Sequence, residues 1–99
     1  MIRHIVAWNY MDGFCDEENQ ENAEKVKYEL ENLKNLISEI VEMKVILNPA
    51  KTSNRKVVLI SLFYTEQDLA NYQVHPEHKR VSQFVGSVMK DRVCLDLFE

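Results

Sequence analysis

The stretch Val57-Val58-Leu59-Ile60-Ser61-Leu62-Phe63-Tyr64 decides the fold. It is almost continuously apolar and rich in β-branched side chains, which marks a strand buried on both faces and therefore central in its sheet. Directly after it, Thr65-Glu66-Gln67-Asp68 places a hydroxyl three residues before an acid, a capping-box start for a short helix carrying Leu69 and Tyr72. His75-Pro76 then opens a second helix, because proline fits a first helical position, and Val81, Phe84, Val85 and Val88 supply its apolar stripe. Arg92-Val93-Cys94-Leu95-Asp96-Leu97-Phe98 reads as the last strand.

Working upstream, residues 50–55 form a polar loop, and Met43, Val45 and Leu47 alternate with Lys44, Ile46 and Asn48 in a strand stopped at Asn48-Pro49. From Asp16 to about Glu39 the period changes. Ala23, Val26, Leu30, Leu33, Ile37 and Ile40 recur at helical steps, with Asp16, Glu17, Glu18 and Glu21 at the positive end of the helix dipole and Tyr28 facing outward. Residues 2–10 are a strand with Ile2, His4, Val6, Trp8 and Tyr10 on one face and Arg3, Ile5, Ala7 and Asn9 on the other. The acidic runs 16–18 and 29–31 read as a solvated helix face.

This order of elements predicts an α+β split βαβ fold, one domain over residues 1–99, with a four-stranded antiparallel sheet and its helices on one face. The other face would show Ile5, Ala7, Ile46, Val58, Ile60, Leu62, Cys94 and Phe98, more apolar surface than a monomer normally leaves wet. A second copy of the sheet is the simplest cover, so a homodimer through the sheet faces is expected. The need is sharpened by size: 99 residues with 45% hydrophobic side chains make a small core.

Composition removes several classes of function. Twelve Lys and Arg against sixteen Asp and Glu give a net charge of −4 without basic runs, which argues against nucleic acid as a partner. No apolar stretch reaches the roughly 18–20 residues of a membrane span, and the N-terminus lacks the small-residue end of a cleavable signal; no membrane partner and a cytoplasmic location are expected. Cys15 and Cys94 have no cysteine partner at metal or redox spacing. With only Gly13 and Gly86 there is no phosphate-binding loop, and Gly86, inside a helix, reads as a mark of close packing.

The dense polar cluster is Tyr72-Gln73-Val74-His75-Pro76-Glu77-His78. His75 before the proline reads as a structural cap between the helices. His78, one turn before Val81, is compatible with a pocket role and equally with a satisfied buried histidine. His4 lies on an otherwise apolar strand face, where an imidazole needs a partner, and it can project beneath the long helix; Tyr72 can bring its hydroxyl to the same place. His75, His78, Glu77 and His4 do not have the i,i+4 spacing of a zinc helix, so no metal is expected.

The opening Met-Ile-Arg-His-Ile-Val with Trp8, the motif Tyr72-x-x-His75-Pro76-x-His78 with Val81, Phe84 and Val85 after it, and the terminal strand with Asp96 together resemble the stress-responsive dimeric α/β-barrel (Dabb) family, over nearly the whole chain. The resemblance implies a ferredoxin-like subunit that pairs through its sheets into a barrel, and no cofactor. It implies little about activity: members include proteins without an assigned reaction, plant stress proteins and a few cofactor-free polyketide cyclases. In the cyclases a tyrosine and the second histidine of the motif are the acid/base pair, matching Tyr72 and His78 here, and the strand histidine matches His4. The cyclases' further histidine falls at Val57 and their helix tyrosine at Leu30, so this chain lacks two polar groups. Three readings follow. The first is a pocket of His4, Tyr72 and His78 binding a small, mostly apolar organic molecule among Val6, Trp8, Leu59 and Phe84, with acid/base chemistry by Tyr72 and His78. The second is a non-catalytic stress or interaction module with structural histidines, and the third a cofactor-free monooxygenase or isomerase.

Overall fold

The computed structural model describes residues 1–99. The chain runs β1 (Ile2–Tyr10), α1 (Asp16–Leu36), β2 (Glu42–Ile46), β3 (Val57–Phe63), α2 (Glu66–Val74), α3 (Pro76–Val88) and β4 (Met89–Phe98). The strands form one antiparallel sheet in the order β2-β3-β1-β4, so the apolar β3 is internal, as its composition requires. This is the ferredoxin-like α+β arrangement. No helix is long and apolar enough to cross a membrane.

The three helices pack on the sheet face that carries Ile2, His4, Val6 and Trp8 of β1 and Val57, Leu59, Ser61 and Phe63 of β3, all buried. From α1, Ala23, Val26, Leu30 and Leu33 complete the core, each large side chain contributing about 1.5–3 kcal/mol by leaving water. Thr65 caps α2 by accepting the Asp68 N–H, and the His75 ring caps α3 by accepting the Glu77 N–H at 3.1 Å.

Four local details differ from the sequence reading. Helix α1 ends at Leu36, because Ile37 leaves in an extended conformation; Ile37 and Ile40 still plug the core from the loop. Glu29 and Glu31 are not simply solvated. Glu31 accepts the Val45 N–H at 3.0 Å while Lys27 donates to the Val45 carbonyl at 2.7 Å, so α1 occupies backbone groups of the edge strand β2, and Glu29 pairs with Arg80. Gly86 is not a close-packing glycine, since a Cβ there would meet nothing within 4 Å.

The fourth difference concerns β4. Val6 pairs with Cys94 and Ile2 with Phe98, which puts Cys94 and Phe98 on the helix side of the sheet; Val93, Leu95 and Leu97 take the outer face opposite Ala7, Ile5 and Arg3. Val93, Leu95 and Leu97 form the wholly apolar parity of β4, and it is this parity that faces outward, while the mixed parity of Arg92, Cys94, Asp96 and Phe98 shares the side of His4. The register of β4 is set by a bulge: Ala7 opposes Val93 but Asn9 opposes Lys90, leaving one extra residue on β4, and Asp91 takes a positive φ of 55°. Asn9 Nδ2 donates to the Asp91 carboxylate and Arg55 Nε to the Asp91 carbonyl, which hold the bulge in place.

Candidate functional site

Beneath α1 and α3 the helix-side face of the sheet does not close completely. A cavity of about 160 Å³ remains, bordered by Val6, Trp8, Leu30, Leu59 and Val85 and by the polar residues His4, Tyr72, His78, Ser82 and Arg92. Gly86 borders it too, and a Cβ there would stand in open space.

His4 reaches this space because it lies at an inward position of β1. Its backbone carbonyl accepts the buried Ser61 hydroxyl at 2.9 Å, and its ring meets Asp96, directly across on β4, with 2.5 Å between Nδ1 and the carboxylate. A carboxylate only accepts, so Nδ1 carries the hydrogen and Nε2 is the nitrogen left for a ligand. Asp96 thus orients His4 as a carboxylate orients a catalytic imidazole.

Tyr72 comes from α2 and is almost wholly buried. Its ring lies 5.0 Å from that of Phe63, 6.3 Å from His4 and 4.4 Å from His78 between centroids. Burial pushes the phenol well above its ordinary value, against a smaller opposing pull from Arg92, so Tyr72 is a neutral donor at physiological pH. His78, half-buried near the start of α3, donates from Nδ1 to the Gln73 carbonyl at 3.1 Å. Its Nε2 therefore accepts from the Ser82 hydroxyl at 3.3 Å, one helical turn on. Burial holds His78 below the usual imidazole value, the Gln73 bond opposes this in part, and the nearby Arg92 guanidinium adds to the lowering. Neutral His78 is consequently a base and neutral Tyr72 an acid, side by side.

The cavity brings together His4, Val6, Trp8, Leu59, Tyr72 and His78 of the residues expected from sequence. Phe84 is not among them. One position before Val85, it is rotated to the edge of α3, where Lys25 Nζ sits 4.3 Å from its ring centre. His75 is engaged at the α3 N-terminus, and Val57 is fully buried in the core away from the cavity. Asp96, Ser82 and Arg92 lie outside the site residues expected from sequence. Ser82 had a legible signal, its i,i+4 spacing from His78; the facing of Asp96 and Arg92 depends on the register of β4.

One further group of donors surrounds the His4–Asp96 pair. Cys94 Sγ lies 3.8 Å from His4 Nδ1 and 3.7 Å from the Asp96 carboxylate, making a nitrogen, sulfur and oxygen set within 4.8 Å. Holding an ion there would break the His4–Asp96 hydrogen bond and take the proton from a thiol that burial and then the charge of Asp96 push up. His75, His78 and Glu77 do not belong to this set.

A ferredoxin-like sheet with helices on one face and a polar-ended cavity between the layers defines the class of protein. Within it, the chain belongs to the family of the stress responsive A/B barrel domain (Dabb), whose model matches residues 2–99. Among solved structures it is similar to a dimeric protein of unknown function and ferredoxin-like fold from Bacteroides fragilis, with 28% identity over 99% of this chain and 95% of that one and a TM-score of 0.90. The hydroxynitrile lyase of Passiflora edulis shares the fold at 19% identity, covering 97% of this chain and 90% of that one, with a TM-score of 0.81. A Dabb family protein of Mesorhizobium loti does so at 15% identity over 99% and 95% of the two chains, with a TM-score of 0.76. Among curated protein sequences nothing matches.

Proposed function

We propose that this chain acts as a homodimer that takes a small, mostly apolar carbonyl compound into the cavity and moves a proton on it without a cofactor. The observation that carries the reading is the neutral Tyr72–His78 pair, 4.4 Å between ring centres, at a cavity that His4 also borders with its Nδ1 engaged by Asp96. Tyr72 donates to the carbonyl oxygen, and His78 Nε2 exchanges the Ser82 hydroxyl for a proton from the adjacent carbon, giving an enol-like intermediate that the return of the proton discharges. His4 Nε2 accepts from a further hydroxyl at the far end of the ligand. The solved relative that is a hydroxynitrile lyase supports the reading that this fold accommodates small-molecule chemistry.

Dimerisation is supported by the apolar outer face and by the dimeric Bacteroides relative. The test of the chemistry is exchange of the α-protons of acetophenone in D₂O, followed by proton NMR. The wild-type chain is expected to accelerate it, and Tyr72→Phe and His78→Gln each to slow it by about 10²–10⁴-fold; a wild-type rate equal to that of buffer contradicts the proposal. A non-catalytic module is the second reading, favoured by the protein partners that His75 and His78 already have. Under it the same two variants lower the melting temperature and leave no change in ligand contact.

A further inference from the structure

The chain has four arginines, and three of them are spent. Arg3 binds Glu42 and Glu99, Arg80 binds Glu29 and Glu77, and Arg55 donates to the carbonyls of Asn54 and Asp91. Arg92 pairs with no carboxylate, yet it borders the cavity. Its place follows from the bulge in β4. Cys94 faces the helix layer opposite Val6, so Arg92, two residues earlier, keeps the same side of the strand, and the extra residue at Asp91 turns the chain just before it. A bulge beside a site characteristically re-aims one side chain, and here Asn9 and Arg55 both bond Asp91 and hold that turn.

No carboxylate is among the residues that border the cavity, and Arg92 is the one that stays charged at every accessible pH. The volume, about 160 Å³, suits a single ring: apolar protein cavities of about 150 Å³ take up benzene. We infer that the cavity selects a ring-sized organic acid, whose apolar body lies among Val6, Trp8, Leu59 and Val85 and whose carboxylate, at the exposed rim, is held by the Arg92 guanidinium. The assignment rests on the cavity being a ligand site, as proposed above, and specifies the class of ligand: small aryl or short-chain carboxylates, with keto acids combining the anchor and the reactive carbonyl.

The experiment is an NMR titration of the full chain with benzoate and phenylacetate and with their neutral amides, repeated on Arg92→Gln and Arg92→Lys. The acids are expected to bind about tenfold more tightly than the amides, from one charge-assisted contact at an exposed rim. Arg92→Gln erases that preference, Arg92→Lys keeps part of it, and added salt shrinks it. Because Arg92 is exposed, its variants keep the wild-type melting temperature, which separates lost recognition from lost folding. Acids and amides binding equally well to the wild type, or a preference for the acids that survives in Arg92→Gln, overturns the anion assignment and leaves the cavity reading standing. Failure of both classes to shift His4, Tyr72 or His78 overturns the two together.

Discussion

The two faces of one sheet are built from alternate residues of the same strands and have opposite characters. On the helix side β1 presents His4, Val6 and Trp8, all at most 7% exposed, around a cavity with a phenol, two imidazoles and a guanidinium. On the other side the same strand presents Arg3, Ile5 and Ala7, and its neighbours add Val58, Ile60 and Leu62 from β3 and Val93, Leu95 and Leu97 from β4. Leu95 is 57% exposed, a large value for an aliphatic side chain in a sheet. The contrast teaches that a strand of period two can present two different surfaces within a few residues, and the proposed function assigns one parity to chemistry and the other to association. A one-residue slip of β4 would exchange the roles, bringing Leu95 to His4 in place of Asp96. The bulge at Asp91 is thus part of the site.

The largest expected effect comes from placing a charge on the outer face. Leu95→Asp would bury an unpaired carboxylate between two sheets, and we expect dimer affinity to fall by at least about a hundredfold. Sedimentation should then give the 11.7 kDa chain where the wild type gives twice that mass; an unchanged dimer would place the interface elsewhere. On the inner face Asp96→Asn keeps the shape but frees His4 to adopt either tautomer. Proton exchange on acetophenone is expected to fall at least about tenfold while the dimer persists, since carboxylate partners of functional histidines typically matter at this level. Equal rates for variant and wild type would remove Asp96 from the account.

A smaller effect, of opposite sign for stability and binding, is expected at Gly86. Its Cβ would meet nothing within 4 Å, so Gly86→Ala should stabilise the chain by about 0.5–1 kcal/mol through helix propensity. An added methyl at this border of the cavity is expected to weaken benzoate binding. Denaturant titration and NMR titration of the same sample check both halves; destabilisation would mean that the helix is tighter there than its contacts indicate. The subtlest effect is in pH. His78 is held below its ordinary value near 6.5, so the unfolded chain binds its proton more readily than the folded one. The His78 contribution is fully present above about pH 6.5 and is lost as pH falls through its lower folded value. His78→Gln should flatten that part of the stability profile, and an unchanged profile would contradict the burial of the ring.

Much of this architecture is legible in the residues alone. The apolar run of β3, the cap at Thr65, the restart at Pro76 and the inward parity of His4 all follow from short-range chemistry, and all four agree with the structure. What escapes is set by long-range register. Asp96 is one acid in an exposed strand until the pairing with His4 is known, and Arg92 is an ordinary strand cation until the bulge turns it. Phe84 illustrates a subtler limit: on α3 it belongs to the apolar stripe, yet only Val85, one step of 100° away, borders the cavity. Gly86 reads as a packing device in the sequence because residues alone cannot distinguish a glycine beside a neighbour from one beside open space.

The central claim is that chemistry and association are separated by the two parities of the sheet. Its most direct test is NMR of the histidine rings and the methyl groups of the dimer while acetophenone is added. The account predicts that His4, His78 and the methyls of Val6, Leu59 and Val85 shift together, with His4 carrying its hydrogen on Nδ1, while Ile5, Ile60 and Leu95 on the outer face stay unmoved. Shifts confined to the outer-face methyls, with the His4 and His78 rings silent, would contradict it.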